Sequence, residues 1–346
     1  MMSVNGGVLE GGGQILRNSV ALSGLLAQPI SVHQIRSSRK PPGLKNQHRT
    51  GLELAAEIAS AKLTGAKSGS TQIEFIPGRL KVPGHFVADA VTAGSTTLLF
   101  QVALPLLLFP SSPSEHSVSR LCLKGGTNAT KAPQIDYTQM SSCRGGEVVI
   151  TVTPLSHPLR SFSLLERGEV GSIKGIAHFA GLPDKIGFKM VEGARKSLSA
   201  HFGGVPIEIE SRRERAENTV GAGSGIVLWA ELDGGGIIGG SAVGKKGLDA
   251  ADLGANAAQE LIRELNEKGG CVDEWLEDQI IIFMALADGV SEIRAGKGQL
   301  QLHTRTAIHI AELLTEAKFS IEELESGHRI IRCKGIGFPG NGRQKD

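Results

Sequence analysis

Aromatic residues are scarce in this chain: one Tyr, two Trp and eleven Phe in 346 residues. Cysteine is scarcer. The four, at 122, 143, 271 and 333, form no C-x-x-C pair, which argues against a zinc ribbon, a thioredoxin-type motif and a disulfide-stapled secreted module. A reducing, intracellular compartment fits best. Charge of either sign is not in excess, since 37 Lys and Arg stand against 35 Asp and Glu. That balance argues against disorder and against a surface that coats polyanions, so any nucleic-acid contact must be local. Long hydrophobic runs are missing as well. The longest apolar tract, 97–110, is broken by Gln101 and Pro105 and is shorter than the ~20 residues of a membrane helix, so it reads as a buried helix and no membrane partner is expected. No basic region followed by an apolar stretch and a cleavage site opens the chain, so no export signal is visible.

What is present is a 40% hydrophobic share, enough for a substantial core, and 46 glycines clustered at 11–13, 125–126, 145–146, 234–236 and 239–240. These read as tight joins between elements. Three segments share one plan, a helix with an early Gln that ends in a Pro or Gly turn before a strand-like run. They begin at Gln14, Gln101 and Gln279 and lead into runs at 29–35, 121–123 and 289–293. The spacings are 101 − 14 = 87 and 279 − 101 = 178, close to one and two units of one period, which suggests tandem α/β repeats. Coincidence in an ordinary α/β chain is the competing explanation. Between 159 and 262 the pattern changes to strand (161–165), strand (173–180), helix (185–200), strand (206–210), strand (225–231), a Gly-rich hairpin and a helix carrying Leu253, Ala257, Ala258, Leu261 and Ile262. It reads as an inserted small α/β domain.

Four places have the residue types for chemistry. The first fifty residues hold six basic side chains (Arg17, Arg36, Arg39, Lys40, Lys45, Arg49) and one acid, Glu10. The loop from Arg36 to Gly43 is the sort from which Arg forks grip phosphate oxygens, and equally the sort that is simply a solvated loop. The run Glu10 to Gly13 opens a helix, either as a phosphate cradle or as a tight strand-to-helix turn. His303 stands at the start of a helix whose buried positions include Ile308, Ala311, Leu314 and Ala317. A histidine in that place is held in the neutral, nucleophilic form, although a lone histidine is more often structural. His309, six residues on, is turned by about 240° and cannot share its face. Asp273 to Gln279 sets four acids and Trp275 ahead of the last Gln helix, to hold a nucleobase or ribose or to cap the helix.

Together these pieces resemble the RNA 3′-terminal phosphate cyclase family. The matching stretches run from Glu10 to Arg17, through Ile35, Arg36, Arg39, Pro42 to Leu44, Gln47 and His48, then Thr92 to Ser95 and Lys124 to Asn128. They continue with Ala132 to Tyr137, Gly146 to Val148, Asp278-Gln279 and Leu302 to Thr304. The resemblance implies an α/β fold of tandem βαβαββ-type repeats, enolpyruvyl-transferase-like, with the small insert. Residues 1–158 would hold repeats one and two, 159–262 the insert and 263–346 the third repeat. It further implies a ligase-class enzyme that uses ATP and a divalent metal, Mg or Mn, to turn an RNA 3′-terminal phosphate into a 2′,3′-cyclic phosphate. A histidine–AMP intermediate and an RNA adenylate anhydride lie on that path.

By the same resemblance His303 is the nucleophile and His309 is not catalytic. Gln101, Pro133, Trp275, Asp278 and Gln279 correspond to nucleotide contacts, Arg17, Arg36, Arg39, Gln47 and His48 to the phosphate and RNA side, and Glu10 to a carboxylate near the metal. The partners implied are ATP and RNA with a 3′-phosphate end, with no obligatory protein partner, and the location implied is nuclear rather than cytoplasmic. The chain departs from the family pattern in three ways. Trp275 stands where a Tyr is usual. Residues 116–120 look like extra sequence. About two dozen residues are missing between Tyr137 and Gly145, so the second repeat lacks a layer element and lost solubility or activity is expected. Two alternatives therefore stand beside the enzyme: a non-catalytic, cyclase-like RNA-binding factor of ribosome assembly, and an inactive shortened isoform.

Overall fold

The glycine run 11–13 lies between a strand and a helix, and the computed structural model begins with that join. It describes residues 1–90, 95–109, 118–126, 147–218 and 221–340. Strand β1 (Met2–Asn5) leads to helix α1 (Gly13–Leu26), strand β2 (Ile30–His33), helix α2 (Asn46–Ile58), and strands β3 (Lys62–Thr64) and β4 (Ile73–Ile76). The sheet order is β1-β2-β4-β3, with β1 parallel to β2 and the other pairs antiparallel. Helix α1 starts after Gly12 in extended backbone and stops where Ala27 turns left-handed, its N–H returning to the Ser23 carbonyl, just before Pro29. Ile15, Leu16, Val20, Leu22 and Leu25 bury its apolar side.

Strand β5 (His85–Asp89), helix α3 (Thr96–Leu108) and strands β6 (Ser119–Lys124) and β7 (Glu147–Val152) follow, in a sheet ordered β5-β6-β7 with β5 parallel to β6. Helix α3 is the buried helix expected from the 97–110 tract: Leu99, Val102, Ala103, Leu106 and Leu107 are inaccessible, and Pro105 has no N–H to return to the Gln101 carbonyl. Pro133 and the shortened stretch 138–145 lie outside the described residues.

Strand β8 (Ser163–Leu164) precedes a separate unit. This comprises β9 (Val170–Ala180), α4 (Lys185–His201), β10 (Ile207–Arg213), β11 (Gly223–Leu232), β12 (Ile237–Val243) and α5 (Ala250–Ile262). Its sheet order is β10-β9-β11-β12, and its own core includes Ile173, Met190, Leu198, Ile226, Leu228, Leu253 and Leu261. The two helices lie very close, because a Cβ on Gly254 would stand 1.9 Å from the Met190 carbonyl oxygen. Helix α5 does not end at 262. It continues as a π-helical turn, Arg263–Lys268, that buries Leu265 and closes on left-handed Gly269. The strand read at 161–165 also differs in placement: β8 pairs with the last sheet and not with that of the insert.

Helix α6 (Glu277–Leu286), strand β13 (Val290–Ala295), helix α7 (Leu302–Leu314) and strands β14 (Lys318–Glu323) and β15 (Arg329–Lys334) complete the chain. Their sheet is ordered β14-β15-β13-β8, with β8 parallel to β13. This is the connectivity of the first sheet, with β8, β13, β15 and β14 in the places of β1, β2, β4 and β3. Helix α6 is apolar on all sides because it faces two cores. Ile282 and Leu286 join the first, while Ile281, Met284 and Ala285 join the last. The three glutamines mark helices α1, α3 and α6 but hold different positions in them, second, sixth and third, so their spacing is not a positional register. Among the described residues no helix is long and apolar enough to cross a membrane.

Candidate active site

Three helices bring their N-termini to one place. Gln14, Asp278 and His303 are each the second residue of a helix, α1, α6 and α7 respectively. The Nδ1–H of His303 donates to Gln14 Oε1 at 2.6 Å. With the proton on Nδ1, the lone pair is on Nε2. Asp278 lies beside the same group. Burial raises its pKa, against the pull of the Gln14 amide, His303 and Arg17, which favour the carboxylate. The loop before α1 is tied to α7 as well, since the Glu10 N–H donates to Thr306 Oγ1 at 3.2 Å. Deeper in α7, Thr304 Oγ1 donates to the buried Glu277 carboxylate at 2.6 Å, which fixes the start of α6 against that of α7. Unsatisfied N–H groups at three converging helix starts make a positive potential suited to an anion.

Basic side chains extend this field along α1. Arg17 Nε donates to Gln101 Oε1 at 2.7 Å, joining α1 to α3, and burial lowers its pKa more than Asp278 and Glu10 raise it. His48 takes the Lys45 N–H on Nδ1 at 3.2 Å, so its remaining proton sits on Nε2. Burial, then Arg17, Arg36 and Lys45, push the pKa of His48 down to about 4, so it is neutral at pH 7. Both groups crowd Gly13, where a Cβ would lie 2.8 Å from Arg17 Nη1 and from His48 Nε2. Any side chain there would push into the space these donors face. Arg39 Nη2 reaches the Glu10 carbonyl at 3.1 Å and Oε1 at 3.2 Å, while Glu10 Oε2 is buried with no hydrogen-bond partner.

The other expected residues are placed differently. Gln47 Oε1 accepts the Ser95 N–H at 3.3 Å, at the start of α3. Arg36 is 7% exposed, and its Nη1 donates to the carbonyls of Gly43 and Pro41, so in this structure it braces the 36–43 loop. Trp275 Nε1 donates to Glu260 Oε1 at 3.3 Å, and Gln279 Nε2 donates to the Trp275 carbonyl one turn back. Asp273 does not cap α6, whose start has no side-chain cap; its carboxylate accepts the N–H groups of Trp275 and Leu276 in the turn before the helix and of Gly239 from β12. His309 is exposed on α7, and no hydrogen bond joins it to Gln14 or Asp278 among the described residues. Among those residues no group of three or more His, Cys, Asp or Glu side chains could hold a metal ion. The residue that sequence reasoning passed over is Gln14. It was visible only as a helix marker, although it lies inside the stretch from Glu10 to Arg17.

A profile of the RNA 3′-terminal phosphate cyclase family matches residues 8–321. An RNA 3′-terminal phosphate cyclase of Drosophila melanogaster is 36% identical over 360 residues, covering 97% of each chain. One from Pyrobaculum neutrophilum is 35% identical over 359 residues, covering 97% of this chain and 99% of its own. A third, from Methanosarcina barkeri, is 38% identical and covers 94% and 98%. The first two alignments are longer than the chain's 346 residues, by 360 − 346 = 14 and 359 − 346 = 13 positions, so these relatives carry residues for which this chain has none. With a family profile across most of its length and relatives aligned nearly end to end, this chain belongs to the RNA 3′-terminal phosphate cyclase family.

Proposed function

We propose that the chain uses ATP to convert an RNA 3′-terminal phosphate into a 2′,3′-cyclic phosphate, with His303 as the nucleophile. The observation that carries this reading is the Gln14–His303 hydrogen bond at the meeting of three helix N-termini, which leaves Nε2 free to attack. Nε2 bonds to the α-phosphorus of ATP, the bond from that phosphorus to the bridging oxygen breaks, and pyrophosphate leaves. An oxygen of the RNA 3′-phosphate then takes the adenylyl group, and the electrons of the N–P bond return to Nε2. The adjacent ribose 2′-oxygen closes on the terminal phosphorus, AMP leaves, and the 2′ proton passes to solvent. Holding that hydroxyl next to its target removes the entropy cost of a bimolecular step. Arg17, Arg39 and the Nε2–H of His48 spread the charge on the phosphates, with Arg36 holding their loop and Gln47 tying it to α3. Gln101, Pro133, Trp275, Asp278 and Gln279 make the nucleotide side.

A divalent metal fits one feature, the orphaned buried oxygen of Glu10. Mg or Mn bound mainly by triphosphate oxygens and one carboxylate needs no protein cage. Such an ion supplies charge neutralisation on the phosphates.

The repeat reading belongs to this proposal: units at 1–158 and 263–346 flank an insert at 159–262, and the residues missing relative to the longer alignments come from the second repeat, between Tyr137 and Gly145. So does a nuclear location. Those missing positions also favour a second reading, an inactive shortened isoform. One experiment separates them. Purified chain is incubated with α-labelled ATP and Mg or Mn, beside His303→Ala and His309→Ala. Acid-labile, base-stable label lost only in His303→Ala is the expected result. Well-folded wild-type protein that takes no label overturns the enzyme and leaves RNA binding to be tested.

A further inference from the structure

A second cationic cluster lies where the insert joins the last sheet. A cavity of about 380 Å³ opens there, within the range of small-ligand sites. Its walls come from both sides of the junction: Arg167 on the segment entering the insert, Leu265 and Gly269 on the segment leaving it, Arg294 and Lys297 at the end of β13, and His328 in the turn before β15. Backbone bonds hold the walls in place. The Lys297 N–H donates to the Lys268 carbonyl at 2.9 Å and the Cys271 N–H to the Arg294 carbonyl at 2.8 Å.

The polar groups of this cavity are unusually under-used. Arg167 Nε and Arg294 Nε are buried without a hydrogen-bond partner, and His328, with Nδ1 on Ser326 Oγ, turns Nε2 toward Gly269 at the cavity wall. Nearby arginines do find carboxylates: Arg263 pairs with Glu264 and Glu274, Arg329 with Glu323, and Arg332 with Glu292 and Glu322. Among the described residues no carboxylate pairs with Arg167, Arg294 or Lys297, although Glu166 and Glu169 line the exposed rim. Burial, and then the like charge of Arg294, lower the pKa of Arg167. Both guanidinium groups are half-buried, Cys271 and Glu169 offset their charge only in part, and each buried Nε–H left without an acceptor costs stability.

We propose that this cavity binds a phosphate group, whose oxygens accept from Arg167, Arg294 and His328 while Lys297 supplies a further charge. Phosphate suits the set because it offers several acceptor oxygens to donors arriving from different directions, and arginine forks match its edges. Bound there, it ties the stem of the insert to the last sheet. The phosphate is either free in solution or a phosphodiester of an RNA chain, and the two sources are separable.

Arginine Nε–H resonances of the full-length chain report the site directly, with Arg167→Lys and Arg294→Lys assigning them. One titration uses inorganic phosphate, another a short oligoribonucleotide ending in a 3′-hydroxyl, and a third chloride at matched ionic strength. Saturable movement of both resonances with phosphate supports a free anion. Movement with the oligoribonucleotide alone supports the RNA backbone as the source. Lys297→Gln, an exposed position, is expected to weaken the responding probe about tenfold without changing the melting temperature. Resonances that move with neither probe, or equally with chloride, overturn the proposal. So does unchanged affinity in Lys297→Gln, should the arginine variants fail to fold.

Discussion

The insert and the meeting point of the three helices handle charge in opposite ways. On the insert, four close ion pairs form at the surface, in contact with water. Lys174 pairs with Glu231 at 2.8 Å, Arg212 with Glu210 at 2.7 Å, Arg213 with Asp184 at 2.9 Å and Lys189 with Asp249 at 3.2 Å. At the helix ends the same residue types are drawn inside and only partly compensated. Arg17 reaches an amide rather than a carboxylate, Asp278 is raised by burial, and Glu10 keeps an orphaned oxygen. Paired surface charge keeps a fold soluble. Buried, uncompensated charge costs stability and is where a charged substrate gains most.

The contrast breaks most visibly at Gln14. Replacing it with Leu keeps the volume but removes the acceptor that holds the His303 proton on Nδ1. The rate of histidine adenylylation is expected to fall by about 10²-fold, the scale of misplacing a general base or its orienting partner. Time courses of label uptake check this, with ATP affinity measured alongside. Gln14→Glu, which retains an acceptor, should recover much of the rate. A Leu variant as fast as wild type would remove Gln14 from the mechanism.

The next largest effect is on stability. Thr304→Val deletes the hydroxyl that serves the buried Glu277 carboxyl group, leaving a buried acceptor short of a donor. Burial already raises the pKa of Glu277, with the Thr304 bond opposing it, so the variant should raise it further. A loss of about 2–3 kcal/mol is expected from denaturant unfolding at pH 7, shrinking at acid pH as Glu277 takes a proton. An unchanged midpoint would mean that water or another donor replaces the hydroxyl.

One histidine in each region sharpens the comparison. His48 beside α1 and His178 on the insert are both pushed down to about 4, each by burial first and then by arginine, Arg17 for the former and Arg212 for the latter. Unfolding returns each to its ordinary value of 6.5. Between those values the unfolded chain binds protons that the native chain refuses, so stability falls as pH drops from about 6.5 to about 4. Both side chains are only partly buried, and the loss per histidine is about 2 kcal/mol after allowing for solvent screening. Stability measured against pH in His48→Gln and His178→Gln should show a shallower acid slope in each. Equal slopes in wild type and both variants would contradict the shared cause.

How much of this was legible in sequence follows from what each feature depends on. Helix α4 was expected at 185–200 and lies at Lys185–His201, because its apolar spacing and turn residues are local. His303 at the start of α7 was legible for the same reason. The Gln14 contact was not, since it joins residues 289 apart and depends on how α1 packs on α7. The bonds of Arg36 were not legible either: its Nη1 donates to carbonyls of its own loop, a contact fixed by the fold of residues 36–43 and not by the charge of the run. Strand β8 is legible as a strand but its partner is not, because β13 lies beyond the whole insert. The cavity beside Arg167 has no local signature, as its donors come from three separate segments.

The smallest effect tests the other half of the comparison. Lys174 and Glu231 form a close ion pair, with hydrogen bonds of 2.8 and 2.9 Å from one ammonium, and each shifts the other's pKa toward the charged form, chiefly through that bond. With Arg212 and Glu210 it is one of the two closest pairs of the insert. Yet both side chains are about two-fifths exposed, water screens the attraction, and holding two long side chains in one geometry costs entropy. Lys174→Ala is therefore expected to leave the melting temperature unchanged within error, at low and at high salt. A loss comparable to that of Thr304→Val would show that the insert, like the helix ends, depends on its charges for more than solubility, and the distinction between the two regions would fail.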